Sequence, residues 1–448
     1  MSAKDNGKIM LWQIKKILNC YFSDLTTSIS SLPDPRTGIE YSIAEVMMAA
    51  IMLFLLKCDS RNDFNNKRKD EEFRKNYYRM FRLRLPHMDA VNDMFKNLCD
   101  NKMEEIRCRF INSLIEKRVF HKFRFFDKYF YIAIDGTGVY NWGDSPPENI
   151  AKHATQKKYD SGKVNYSSQI LEAVLVCKNG IKIPLISEWI ANESGKNDKQ
   201  DCELEAFKRL SVRLKNYFPR LNICLLTDGL YTKNPLFDIC KQYDWKFITV
   251  FKDGNLPSVW EEVESLLPLT ARECSCKQQQ FAGNYWITRN FQWIKKIEYQ
   301  KHHVNWIRCI QEKEHSETKE KDENTFVFLT NFDVDRQNIA AILLAGRARW
   351  HIEDLFNTLK NRGGALHHKF SRNDFNALKI WHSVRQLVYM MLELLTHTSD
   401  VLQMKDKYKI TWKELWKNLN AYLSMCSIDE MMEQFEIWIL SSRQVRLE

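Results

Sequence analysis

Two apolar runs that each close on Asp-Gly constrain this chain most. Tyr129-Phe130-Tyr131-Ile132-Ala133-Ile134 ends in Asp135-Gly136, and Leu221 to Thr227 ends in Asp228-Gly229. Aromatic and β-branched runs of this length, bounded by turn residues, read as strands buried on both faces. Between them lie Ile170 to Val176, the pair Asn179-Gly180, and Ile181 to Trp189. Asn-Gly between two strand-like runs predicts a hairpin with a type I′ turn, which needs φ > 0 at both central residues. Glu203 to Phe218 and Leu236 to Tyr243 have helical spacing, and Lys246 to Val250 is strand-like. The order is strand, hairpin, helix, strand, helix, strand, with an aspartate ending the first and the fourth strand.

That is the order of an α/β ribonuclease H-like fold, a mixed sheet with flanking helices in which the first and fourth strands are neighbours. Asp135 and Asp228 would then stand side by side at one edge, where two carboxylates repel unless a cation offsets them. Alternation returns from Tyr285 to Leu329 around a charged stretch, Glu312 to Glu323, and predicts a β-rich insertion. Gln337 to Asn361 then predicts a helix. With Arg349 set at zero and about 100° per residue, Lys360 falls near 20°, Glu353 near 40° and Asn357 near 80°. Ile352, Leu355, Phe356 and Leu359 occupy the adjoining apolar stripe. A helix docked by that stripe turns Glu353 toward Asp135 and Asp228. Three carboxylates at one edge suit hard divalent cations, two Mg²⁺ with Mn²⁺ as the substitute, and two such ions about 4 Å apart serve in-line phosphodiester displacement. The alternative is a surface ladder of ion pairs formed by Arg349, Glu353 and Lys360.

Residues 1 to about 124 read as helical, through Ile9 to Phe22, Ile43 to Leu56 and Met103 to Val119. Of the formal net charge of +10, about +7 falls within residues 1–130. Arg61 to Arg84 interleaves basic residues with Phe73, Tyr77, Tyr78 and Phe81. Such a stretch suits a polyphosphate backbone, and a solvated helix face is the alternative. Arg68, Lys69, Arg74, Lys75 and Arg79 are the DNA-binding candidates here. The longest apolar run, Val46 to Leu56, has 11 residues, against about 20 for a bilayer crossing, so no membrane is expected. No leader-like segment opens the chain, and the 12 cysteines contain no Cys-x-x-Cys pair, which fits reduced thiols in the cytoplasm. The pairs His302-His303 and His367-His368 diverge on any regular backbone and make poor chelates. No Gly-rich phosphate loop follows a strand, so no small-molecule cofactor is expected.

Three blocks resemble the DDE transposases of bacterial insertion sequences, in the group whose ribonuclease H-like domain carries a β-rich insertion. They are Ile132-Ala133-Ile134-Asp135-Gly136-Thr137, Leu225-Leu226-Thr227-Asp228-Gly229-Leu230-Tyr231, and Arg349-Trp350-His351-Ile352-Glu353 with Leu359-Lys360. The last is similar to the family's Arg-x3-Glu-x6-Lys signature, and the likeness covers roughly Lys128 to Met391. Gly346 stands where that signature opens with Tyr, a residue that helps handle a flipped base or hairpinned DNA end in relatives, so the cleavage route stays open. Trp350, or Trp293 or Trp306 in the insertion, could substitute as a stacking platform, but a core or structural role is the favoured reading of each. The resemblance implies Asp135, Asp228 and Glu353 as catalytic metal ligands, with Arg349 and Lys360 on DNA phosphates. Glu172 and Glu188 read as surface or structural residues, and Asn357 lies on the active face.

The implied organisation is a helical DNA-binding region (1–124), a catalytic domain in two parts (125–270 and 333–395) around an insertion (271–332), and a helical C-terminal region (396–448). The implied function is a nucleoid-associated transposase, a homodimer in its synaptic complex. It would bind terminal inverted repeats of double-stranded DNA, cleave them and join the freed 3′-OH to target DNA. The alternatives are a metal-dependent nuclease of the same fold and a catalytically retired DNA-binding protein.

Overall fold

Both Asp-Gly runs belong to one mixed sheet. The computed structural model describes residues 3–126, 128–190, 203–270, 272–439 and 445–448; Cys202 lies outside them. The sheet contains β1 (Phe130–Gly143), β2 (Thr155–Lys158), β3 (Val164–Val176), β4 (Lys182–Ile190), β5 (Ile223–Thr227), β6 (Lys246–Val250), β7 (Ser275–Ala282), β8 (Tyr285–Tyr299), β9 (His302–His315) and β10 (Lys321–Thr330). Their order is β2-β3-β1-β5-β6-β10-β9-β8-β7, and β4 shares with β2 the outer flank of β3. β1 runs antiparallel to β3 and parallel to β5, and β5 runs parallel to β6.

Burial follows the period of two that a doubly covered sheet requires. Ile132 and Ile134 pack into one apolar cluster with Phe207 and Leu210. Tyr131 and Ala133 pack into a second with Ile352, Leu355 and Leu359. The expected hairpin is present as β3–β4, but its turn differs. Only Gly180 of the Asn-Gly pair takes a positive φ (+91°), while the Gly180 N–H bonds Cys177 O and the Cys177 N–H bonds Ile181 O. One left-handed residue at the end of a tight turn replaces the two that type I′ demands.

The β-rich stretch continues the sheet. β10 pairs antiparallel with β6 through Phe328↔Val250, Leu329↔Thr249 and Thr330↔Ile248, and β9, β8 and β7 follow in turn.

Before the sheet come α1 (Ala3–Tyr21), α2 (Leu25–Ser30), α3 (Ile43–Leu55), α4 (Arg61–Lys69), α5 (Glu71–Phe81), α6 (Met88–Phe95) and α7 (Asp100–Glu116). Between its strands lie α8 (Glu148–Ala151), α9 (Glu203–Tyr217), α10 (Asn234–Tyr243) and α11 (Pro257–Thr270). After it come α12 (Ile339–Arg347), α13 (His351–Asn361), α14 (Phe375–Thr396), α15 (Ser399–Tyr408), α16 (Trp412–Met425) and α17 (Asp429–Ile439). α3 is apolar all round and every residue of it is buried, so it has to sit inside other helices. A capping box between Ser42 and Glu45 starts it. α2, α6 and α14 pack against it, and α16 ties the N-terminal helices down: Trp416 Nε1 donates to Leu55 O (2.9 Å), and Asn76 on α5 donates to Leu423 O (2.8 Å) and Cys426 O (2.7 Å). Regions 1–124 and 396–448 thus share one apolar core.

The helix expected over Gln337 to Asn361 is interrupted by a 3₁₀ turn at Ala348–Trp350. Just before it, Gly346 presses on the sheet. A Cβ there would lie 2.9 Å from the Phe328 ring and 3.0 Å from Ile248 Cγ2. A side chain at this place would have to displace the Phe328 ring or Ile248. Replacing Gly346 by Ala is expected to lower stability despite a helix-propensity gain of about 1 kcal/mol, because overpacking costs about 1–3 kcal/mol. The check is a lower urea midpoint at unchanged slope.

Candidate active site

The site forms where β1 and β5 part. Their parallel pairing runs from Phe130↔Ile223 to Ala133↔Leu226 and stops. Asp135 and Asp228 each stand two residues past that last pair, and a step of two keeps a side chain on the same face. This is the face that α13 covers. β1 does not end at Asp135 as its Asp-Gly suggests; it continues along β3, with Asp135 opposite Glu172. β5 does end, and Asp228 caps a short 3₁₀ turn by accepting the Leu230 N–H at Oδ1 (2.8 Å).

Glu353 lies on α13, one turn after Arg349, and the two meet as an i,i+4 pair. Arg349 Nη2 donates to Glu353 Oε1 at 2.9 Å, and Nη1 stands 3.6 Å from Asp135 Oδ2. One guanidinium, on a residue only 6% exposed, therefore spans both carboxylates. Its Nε has no hydrogen-bond partner among the described residues. Asp135 Oδ1 also accepts the Gly136 N–H (3.0 Å). Even so, Asp135 is pushed up to about 6: burial raises it most, the charges of Asp228 and Glu353 add to that, and Arg349 with the Gly136 N–H only partly offsets them. Lys252 Nζ lies 3.7 Å from Asp228 Oδ2. Lys360 Nζ donates to Thr137 Oγ1 (2.7 Å), two residues beyond Asp135 on the same face, and burial lowers the Lys360 ammonium. Asn357 is exposed and accepts from Asn361 along its own helix.

Two contributors escaped the sequence reading. A Cβ on Gly136 would lie 2.6 Å from Glu203 Oε1, so the Glu203 carboxylate rests directly on the backbone after Asp135. The Tyr231 hydroxyl donates to Glu203 Oε2 (2.9 Å), and burial with the charges of Glu203, Asp135 and Asp228 pushes that phenol far up. The available signals were an acid in the first turn of α9 and a Tyr three residues after Asp228.

The donors are hard carboxylate oxygens around an under-neutralised Asp135, a chemistry that fits Mg²⁺ or Mn²⁺. As arranged, no three His, Cys, Asp or Glu side chains among the described residues are grouped to hold a metal ion. The guanidinium of Arg349 occupies the gap between Asp135 and Glu353.

Elsewhere, Phe64, Phe73 and Tyr77 of the basic stretch are core, and Tyr78 is exposed. Arg79 is tied to Glu72 (2.9 Å) and to Asp429 on α17 (2.7 Å), Arg68 to Leu85 O (3.1 Å), and Lys75 to Glu71 (2.8 Å). Lys69 and Arg74 are exposed and hydrogen-bond neighbours on their own segment, Asn66 and Arg68 O. Trp293 and Trp306 are buried, whereas Trp350 is 59% exposed with Arg349 over its ring. Glu172 is fully buried and accepts from Ser187, His382 and Gln386; Glu188 pairs with Arg209 and Arg213. His302 bonds Asp238 and His367 bonds Val139 O. No described helix is long and apolar enough to cross a membrane.

An acid raised in the folded state binds its proton more tightly there than when unfolded, so stability falls as pH climbs from about 4 through about 6. Asp135→Asn removes that charge. It is expected to raise stability above pH 7 by about 1–3 kcal/mol and to leave it unchanged at pH 4, as read from denaturation midpoints at the two pH values. Compared with protein-family models and with curated proteins, the chain matches none.

Proposed function

We propose that this chain is a ribonuclease H-like transposase, which cleaves double-stranded DNA at the ends of its own element and joins the freed 3′-OH to a target. The observation that carries the reading is the shared offset of Asp135 and Asp228 past the last β1–β5 pair, with Glu353 held to the same face by Arg349. Asp135, Asp228 and Glu353 would hold Mg²⁺ or Mn²⁺. When bound, such ions activate the attacking oxygen and stabilise the leaving one. Arg349, once released from the carboxylates, is a planar donor suited to a phosphate. Lys360 and Lys252 bring further positive charge to the two aspartates. The N-terminal helices, with Lys69 and Arg74 exposed, supply the basic surface for duplex binding, and two copies would pair the two DNA ends.

The same guanidinium favours a second reading, a DNA-binding protein that no longer cuts, because it already occupies the space between Asp135 and Glu353. Two measurements separate the readings. With DNA comprising the gene and its flanks as substrate, Glu353→Gln is expected to abolish Mg²⁺-dependent nicking and joining while gel-shift binding persists; a wild type that binds but never cuts supports the second reading. Hydrolysis without joined products would mark a nuclease. Separately, Arg349→Gln is expected to bind Mn²⁺ more tightly than wild type in the absence of DNA, followed by the loss of the free-ion electron paramagnetic resonance signal. Equal affinity would mean that Arg349 does not compete for the acids.

A further inference from the structure

On the side of α13 away from Glu353, a cavity of about 310 Å³ opens between α3, α13, α14 and α16. Its walls are largely apolar and aromatic, among them Phe54, Leu392, Trp412 and Trp416. Two carboxylates reach it and both are already neutralised: Lys182 Nζ lies 2.9 Å from Asp354 and 3.5 Å from Glu393, and Arg362 lies 3.7 Å from Asp354. Two further cations line the cavity with no carboxylate within ion-pair distance among the described residues. Lys57 Nζ sits 4.0 Å above the Trp416 ring, and its hydrogen bond goes to Arg362 O at 3.4 Å. Arg385, 1% exposed, lies between the rings of Phe54 and Phe370 beside the Tyr140 hydroxyl. Its Nη2 donates to Ala365 O (3.1 Å), the Tyr140 oxygen is its other polar neighbour, and the nearest carboxylate acting on it, Glu172, is held by Ser187, His382 and Gln386 and makes no ion pair with it. The Tyr389 hydroxyl lies on the same wall beside Glu393.

Burying a cation without a counter-charge is unfavourable, and aromatic faces compensate it only in part. Burial alone draws the Lys57 ammonium down to about 8, in keeping with a charge that nothing nearby balances. What the cavity lacks is an acceptor that carries negative charge on a flat apolar body. A carboxylate matches the guanidinium fork, and a planar ring matches the indole walls.

We propose that this cavity binds a small planar aromatic carboxylate, its anionic end between Lys57 and Arg385 and its ring against Trp412 and Trp416. The site is independent of the metal and DNA chemistry assigned above. It bears on that chemistry only through α13, whose Asp354 and Arg362 face this cavity while Glu353 faces the acids.

The test uses the full chain and calorimetric titration with naphthoate, against its neutral analogue naphthylmethanol. Expected are saturable one-to-one binding of naphthoate and affinity for the neutral analogue at least about tenfold weaker. Lys57→Gln is expected to weaken naphthoate by a similar factor. Leu392→Trp, which fills the cavity, is expected to abolish binding. Melting curves establish that both variants remain folded; where one does not, the other and the neutral analogue carry the test. Naphthoate that fails to bind wild type at millimolar concentration, that binds no better than the neutral analogue, or that binds the folded variants unchanged overturns the proposal.

Discussion

Repulsion between acids is the constraint around which this molecule is arranged. Asp135 and Asp228 emerge where two parallel strands stop pairing, and Glu353 is delivered to the same face by a helix more than a hundred residues downstream. Like charges at such an edge hold together only with a cation among them. Arg349 is that cation here, reaching Asp135 with one Nη and Glu353 with the other. Its compensation is incomplete, as the raised Asp135 shows. On the proposed reading, a divalent ion would compete with Arg349 for the two carboxylates, and the freed guanidinium would meet a phosphate.

The scaffold under this edge is built from both ends of the chain. α3, apolar on every side, is covered by helices from the N-terminal and C-terminal regions, and α14 packs against both it and the sheet. Glu172 illustrates how that packing reaches the site. It lies opposite Asp135 on β3, yet it turns to Ser187 on β4 and to His382 and Gln386 on α14, where three donors satisfy a carboxylate with no exposure. A neighbouring acid is thereby kept out of the repulsive cluster and used to fasten a helix.

Much of this was legible from local pattern. The two Asp-Gly runs, the hairpin, and the wheel that puts Arg349, Glu353 and Lys360 on one stripe depend on periods of 2 and 3.6, which neighbours in space do not alter. What stayed hidden depends on partners. That β1 continues past Asp135 follows from β3 remaining beside it after β5 has gone. β7, with three Gln in a row, becomes a strand only by pairing with β8. Glu203 belongs to the site because Gly136 lacks a side chain, a contact written in two distant positions at once. Arg349 was legible as a cation on the right stripe, but not as the group that spans two acids. The basic stretch shows the converse limit, since spacing could not separate Lys69 and Arg74, which face water, from Arg79, which clamps α5 to α17.

The seam between β6 and β10 has a mechanical consequence. It is three residue pairs wide, against ten between β10 and β9, and is reinforced by Thr330 and Asn331 bonding the backbone of Phe247. The four outer strands are thus joined to the rest of the sheet by a short backbone seam, and α10 and α11 brace them through side chains, His302 and Lys301 bonding Asp238. Any shift of these strands relative to the sheet is therefore felt at Ile248 to Val250 and at α10 and α11 together, and the next strand inward is the one that carries Asp228 at its end.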